Sequence, residues 1–478
     1  MSNWEITAAP MHEILSTSAT HQARLIRQRS ISSTELIEAH LQHIAAVNPR
    51  IHAVIEVFAD RARAAACAAD KALARGEAAG PFHGVPFTIK DSLTLAGAQC
   101  TAGTFGRRDA PPSTEDATLV ARLRQAGAIP LARTNLPDLL FAFESDNLLF
   151  GATSNPYDTT RTSGGSSGGE AALIASCGSP MGLGSDAAGS VRLPAAFCGI
   201  AGIKPTSGRL PRTGHFPPAG GWIEALWQIG PMARQVEDLC AMMPLLTGGD
   251  GRDRSVVDMP FHDPARVDLR PLRLAFHTDN GFVPADDEVS AVVRAAARTL
   301  AGEVATLAED RPDCLARAWD LEMNLLGADG GDGVRDYLQS LGSTKVHPLL
   351  TGWLDKLQSC RTTVAGLAAY WAQWDDYRAA MTAFLRGYDV ILCPAYIHPA
   401  LPHGTSTDDA NFRGFSYTMA YNVAGWPAAV VRCGTSSTGL PIAVQIVAAP
   451  WREDLALAVA ARLECHCGGW QPPYSESR

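Results

Sequence analysis

Two serines sit in runs whose composition suits acyl chemistry. Ser190 closes the small-residue stretch of Gly182-Leu183-Gly184-Ser185-Asp186-Ala187-Ala188-Gly189-Ser190-Val191-Arg192-Leu193-Pro194. Such a turn exposes several amides beside a hydroxyl, with Arg192 close by. A nucleophile next to free N–H groups is what an acyl-transfer site needs. A tight loop holding a structural serine is the plainer reading, and composition alone favours it. Ser166 lies in Thr162-Ser163-Gly164-Gly165-Ser166-Ser167-Gly168-Gly169-Glu170. A flexible Gly/Ser linker is one reading of that run. It is weakened because residues 171–176 continue at once as a helical segment, and glycines entering a helix permit close approach and present free N–H groups. A phosphate-cradling loop lacks its lysine. A nucleophile elbow of the form Gly-x-Ser-x-Gly must follow a buried strand, whereas residues 155–163 are polar and carry Pro156.

The third candidate is Lys90, at the end of His83-Gly84-Val85-Pro86-Phe87-Thr88-Ile89-Lys90-Asp91. The chain has only five Lys (71, 90, 204, 345 and 356) against 35 Arg, so a lysine ending an apolar strand draws notice. Burial disfavours the ammonium and lowers its pKa from about 10.4 toward the range of a general base. A surface lysine at a strand end is the alternative. Lys204, in Gly202-Ile203-Lys204-Pro205, is the rival. His83 is the only histidine close to the lysine strand, and none lies between 84 and 214. A lysine base acting on serine is then the economical arrangement.

These residues must be placed by an alternating set of elements. Residues 1–80 read as helical. Ser32 and Glu35 form a capping box, Ile37, Leu41 and Ile44 make one apolar stripe, and Pro49 is expected to stop that helix. An alanine-rich helix over 61–75 exits at Gly76. Strands are expected over 85–90, 128–133, 390–393, 428–431 and 442–447. Helices are expected over 117–126, 294–300, 363–385 and 455–464. This rhythm indicates an α/β protein. No internal repeat is visible.

The 478 residues are 46% apolar and 19% charged, enough to bury a core, so disorder is excluded. A net charge of −9 argues against a nucleic-acid partner, which needs a basic face. No apolar run is long enough for a membrane span, and the first ten residues fail the secretory pattern. Eleven scattered Cys suit a reducing cytoplasm. The one Cys/His cluster, Cys465-His466-Cys467, has no partner pair at metal-site spacing, so no metal is expected.

Taken together, Gly164 to Gly169, Gly184 to Gly199, His83 to Pro86 and Lys90-Asp91 resemble the amidase signature family, with Ser190 placed 24 residues after Ser166. Gly230-Pro231-Met232-Ala233-Arg234 and the run from Gly439 through Gln445 look like further landmarks, and residues 240–410 are the least recognisable. The resemblance implies a single α/β/α domain, a twisted mixed β-sheet flanked by helices. Its parts would be a helical N-terminal layer (1–80), a signature core (81–240), a variable, largely helical substrate region (241–420) and C-terminal strands and helix (421–478). It implies a catalytic triad of Ser190 as nucleophile, Ser166 (preceded by a cis peptide bond) as proton relay and Lys90 as base. The amides of Ala187, Ala188, Gly189 and Ser190 would form the oxyanion hole, with Asp186 and Arg192 in support. Many members carry Gly where Ala188 stands, which puts the shape of that hole in question.

No cofactor is implied. The expected activity is hydrolysis of C–N bonds through an acyl-enzyme. Phe141, Phe143, Leu149 and Phe150, with Trp222 and Trp227, are candidates for an apolar pocket. A pocket of that kind favours anilides, aryl esters or carbamates (urethanes) over small polar amides. The region 147–167 looks closer to the fatty-acid-amide-hydrolase branch than to the aminoacyl-tRNA amidotransferase branch. The expected partner is a small-molecule amide, ester or carbamate, the protein a cytoplasmic one, with a homodimer admitted. The A subunit of a glutamine-dependent tRNA amidotransferase is the alternative, and a non-catalytic binding protein on the same fold is a second.

Overall fold

Strict alternation along one central strand puts polar groups where the apolar pattern alone would not. In the computed structural model, which describes residues 11–77, 80–218, 220 and 222–473 and leaves out the Trp222 side chain, strand Pro86–Lys90 is buried along its whole length. Phe87 and Ile89 point to one face and join the larger apolar core. Thr88 and Lys90 point to the other, where Thr88 meets Glu170 and Lys90 meets Ser166.

The strands in chain order are β1 (Val54–Val57), β2 (Pro86–Lys90), β3 (Ile129–Thr134), β4 (Asp146–Asn147), β5 (Gly151–Ala152), β6 (Met181–Asp186) and β7 (Ala201–Lys204). They continue as β8 (Gln228–Ala233), β9 (Arg273–Phe276), β10 (Thr306–Glu309), β11 (Val390–Pro394), β12 (Ala428–Thr435) and β13 (Pro441–Ala448). Eleven of them form one mixed sheet in the order β1-β3-β2-β6-β8-β7-β12-β13-β11-β9-β10, while β4 and β5 make a separate hairpin. β2 runs parallel to β3 and β6. β6 and β8 are antiparallel. The expected α/β class with a mixed sheet and flanking helices is what the chain adopts, with one large apolar cluster on one face of the sheet and two smaller ones on the other.

The capping box is present: Ser32 Oγ accepts from the Glu35 N–H, and Glu35 accepts from the Ser32 N–H. The helix it opens does not stop at Pro49, contrary to expectation. It runs Ser33–Ile51 and ends where His52 turns left-handed. Proline lacks only its own N–H, and the Asn48 side chain accepts from the N–H groups of Ala53 and Val54, closing the helix end two residues on. A further departure is β10, in a stretch expected to be largely helical. Helices Ala318–Leu326, Asp332–Ser340 and Pro348–Gln358 fill the following segment and contribute residues to one wall of the cavity described next.

Candidate active site

Lys90 is wholly buried at the end of β2. Its Nζ lies 2.7 Å from Ser166 Oγ, 3.1 Å from Ser185 Oγ and 3.4 Å from the Ser185 carbonyl oxygen. Burial pushes the ammonium down to about 7, against the opposing pull of Asp186 and Glu170. Glu170 hangs from the first turn of helix Gly168–Ala175, accepting from the hydroxyls of Thr88 and Thr134. Burial raises its carboxyl to about 7, partly countered by those hydroxyls and by Lys90. Gly182 on β6 makes room for it, since a Cβ there would collide with Glu170 Oε1. The rival Lys204 is also buried, but its Nζ donates to the Pro205 carbonyl at 3.0 Å and contacts neither serine.

Ser166 enters the site through a cis Gly165–Ser166 peptide bond. Ser145 Oγ accepts from the Gly168 N–H at 2.8 Å and donates to the carbonyl of Gly164, pinning the turn before the helix. The Ser167 N–H donates to the Ser190 carbonyl at 3.1 Å, which ties the two serine motifs together. Ser166 and Ser190 both line a cavity of about 540 Å³; Lys90 does not, and lies behind Ser166 and Ser185.

Asp186 organises the turn that carries Ser190. Its carboxylate accepts from the N–H groups of Gly189, Val191 and Arg192 and from both Nε and Nη2 of Arg192. Burial alone would raise this carboxyl, but the charge and hydrogen bonds of Arg192, with Lys204 and Asn422, hold it well below the usual range. The arrangement corrects one expectation. Gly189 gives its N–H to Asp186 Oδ1 at 2.8 Å and is absent from the cavity wall, so it supplies no free amide. Its positive φ of 124°, and the Thr418 side chain that any Cβ at this position would strike, explain why glycine stands there. The N–H groups of Ala187, Ala188 and Ser190 have no hydrogen-bond partner among the described residues. Ala188 keeps its place by accepting a hydrogen bond from Thr418 Oγ1 at its carbonyl, and its methyl joins the apolar cluster at the cavity.

Of the proposed pocket residues, Phe141, Phe143 and Trp227 line the cavity. Phe150 does not: it is 38% exposed at the tip of the β4–β5 hairpin, where its N–H is held by Asn147 Oδ1. Leu149 is held the same way. The Trp222 side chain lies outside the described residues. Sequence reading missed Tyr337 and Trp353, which face the cavity from helices Asp332–Ser340 and Pro348–Gln358. It also missed Glu322, fully buried at the cavity with neither oxygen hydrogen-bonded among the described residues; burial holds its carboxyl well above the usual range.

Ser185 and His215 were missed as well. His215 Nε2 lies 3.0 Å from Ser185 Oγ, and its ring packs 4.5 Å from that of Trp227. The histidine stands one residue beyond the His-free window of 84–214. It arrives beside Lys90 because residues 214–216 pair with 92–94, directly after β2: Thr94 N–H donates to Gly214 O and Phe216 N–H to Ser92 O.

The amidase family model matches residues 35–457 of this sequence. The chain belongs to the amidase family. This amidase is 33% identical to human (Homo sapiens) fatty-acid amide hydrolase 2, over 98% of this chain and 92% of that protein. It is 32% identical to the A subunit of the glutamyl-tRNA(Gln) amidotransferase of Thermosynechococcus vestitus, over 92% of this chain and 96% of that one. Among solved structures, that of 6-aminohexanoate cyclic dimer hydrolase complexed with substrate superposes with a TM-score of 0.84 at 30% identity, covering 95% of this chain and 97% of the other. The amidase is a hydrolase of C–N bonds, and no helix among its described residues is long and apolar enough to cross a membrane.

Proposed function

We propose that this amidase cleaves amides of apolar acyl or aryl groups through a Ser190–Ser166–Lys90 triad, and that it also accepts anilides, aryl esters and carbamates. The observation that carries the reading is the position of Lys90: within hydrogen-bond distance of Ser166 yet behind the cavity wall, so that it acts on a substrate only through a serine. Lys90, deprotonated, takes the proton of Ser166 as Ser166 takes that of Ser190. The Ser190 oxygen bonds to the carbonyl carbon, and the N–H groups of Ala187, Ala188 and Ser190 receive the oxyanion. Ser166 returns the proton to the nitrogen as the C–N bond breaks. Water then hydrolyses the Ser190 ester by the same relay in reverse. No cofactor enters the cycle.

The wall of the cavity supports the substrate class. Phe141, Phe143, Leu226, Trp227, Leu326 and Trp353 surround the serines with apolar surface, which stabilises an apolar acyl or aryl group by about 25 cal/mol per Å² removed from water. The similarity to the A subunit of an amidotransferase supports a second reading, a component that works only in an assembly. Turnover by the purified chain on a panel of an apolar anilide, its aryl ester, a carbamate and acetamide separates the two. The proposal expects release from the first three, slow action on acetamide, and loss of roughly 10⁴-fold or more in Ser190→Ala. Near-normal turnover by that variant overturns the triad; no turnover by the wild-type chain alone favours the second reading.

A further inference from the structure

The site contains a histidine that the relay does not use. His215 Nδ1 lies 2.9 Å from the Pro217 carbonyl oxygen. A carbonyl oxygen only accepts, so Nδ1 carries the hydrogen. Burial, opposed by that bond and assisted by Lys90 and Arg212, pushes the imidazole down to about 3. It is therefore neutral, with Nε2 bare. At 3.0 Å from Nε2, the Ser185 hydroxyl must donate its one hydrogen to the ring. With that hydrogen spent, Ser185 Oγ can only accept from Lys90 Nζ, 3.1 Å away.

The consequence falls on Lys90. An uncharged amine has two hydrogens and one lone pair. Ser185 takes both hydrogens, at its hydroxyl and at its carbonyl oxygen. The lone pair is left for Ser166, 2.7 Å away. We propose that His215 is a positioning residue for Lys90, acting through Ser185 to turn the amine lone pair toward Ser166. The inference rests on the reading of Lys90 as the base.

The surroundings leave this role to His215. Lys90 is faced by Glu170 from helix Gly168–Ala175 and by Asp186 from β6. Glu170 is taken by Thr88 and Thr134, and Asp186 by Arg192. Asp91, next in the chain, turns to Thr101 and Arg133. Arg212 sits over Trp227 and pairs with Asp253 and Glu224. None of these accepts from Ser185 Oγ. Without an acceptor at Nε2, the Ser185 hydroxyl is free to donate to the Lys90 lone pair and compete with Ser166.

The test uses His215→Phe, which keeps a ring against Trp227 but offers no acceptor, and His215→Gln, whose side-chain oxygen reaches a comparable position. His215→Phe is expected to lower kcat by roughly 10²-fold, the scale of a misplaced catalytic group, with KM changed by less. The acidic limb of its kcat/KM profile moves to lower pH, because the ammonium of Lys90 loses a committed acceptor. A slower enzyme with a more readily deprotonated lysine is not what simple packing damage produces. His215→Gln recovers a part of both. In a Ser185→Ala background, His215→Phe costs little further, because the two act in series. Wild-type kcat and pH profile in His215→Phe, or full additivity with Ser185→Ala, overturns the inference while leaving the triad intact. Near-normal activity of Lys90→Ala, measured alongside, overturns the triad instead.

Discussion

In the proposed relay Lys90 does not reach the substrate and acts only through the serines it touches. Replacing it by Ala removes the proton acceptor while leaving Ser166 and Ser190 in place, so kcat/KM is expected to fall by about 10³- to 10⁴-fold with little change in binding. In the proposed relay the uncharged amine is the active form, and burial lowers its pKa to about 7. Activity therefore rises as pH increases through about 7 and levels off above it; a profile flat from pH 5 to 9 contradicts the assignment. Lys90, Ser166 and Ser190, the proposed triad, could be singled out in the sequence because each stands in a contiguous run of distinctive neighbours. The Gly189 amide was misread for the opposite reason: only the folded turn shows that Asp186 claims it. Ser185 and His215 gave no such local sign, since their roles arise from a pairing between residues 92–94 and 214–216 that no spacing announces.

At the scale of elements, β2 and β6 do the positioning. Thr88 pairs with Gly182 and Ile89 with Leu183, which sets Lys90 beside the end of β6 and the turn to Ser190. Gly182 is the narrow point of that pairing. Gly182→Ala drives a Cβ into Glu170, whose carboxyl is fixed by two threonines. The expected cost is about 1–3 kcal/mol of stability, seen as a lowered thermal midpoint; an unchanged midpoint contradicts the packing described. The apolar strands β2, β3, β11, β12 and β13 were readable from short hydrophobic runs. β8 was not, because Gly230 and Pro231 ordinarily demote a strand, yet it pairs with both β6 and β7. Pro49 shows the same limit from the other side: the Asn48 side chain, not the proline, sets the end of its helix.

Across the whole molecule, residues far apart in sequence meet at one cavity. Segments around Leu139, Ser166, Ser190, Trp227, Tyr337 and Trp353 all contribute to its wall. The sheet shows the same interleaving, with the C-terminal strands β12 and β13 placed between β7 and β11. The apolar wall could not be read from runs of aromatics alone. Phe141 and Phe143 reach it, while Phe150, a few residues on, is carried outward by a hairpin. The cavity brings Ser166 and Ser190 to one surface with Lys90 behind them, and Ser190 is the proposed attacking group. A fluorophosphonate probe, followed by peptide mapping, tests this most directly. A single adduct on Ser190 is expected, with none in Ser190→Ala, and a labelling rate in the wild-type chain that rises through about pH 7 with the deprotonation of Lys90. An adduct on another residue, or undiminished labelling of Ser190→Ala, would contradict it.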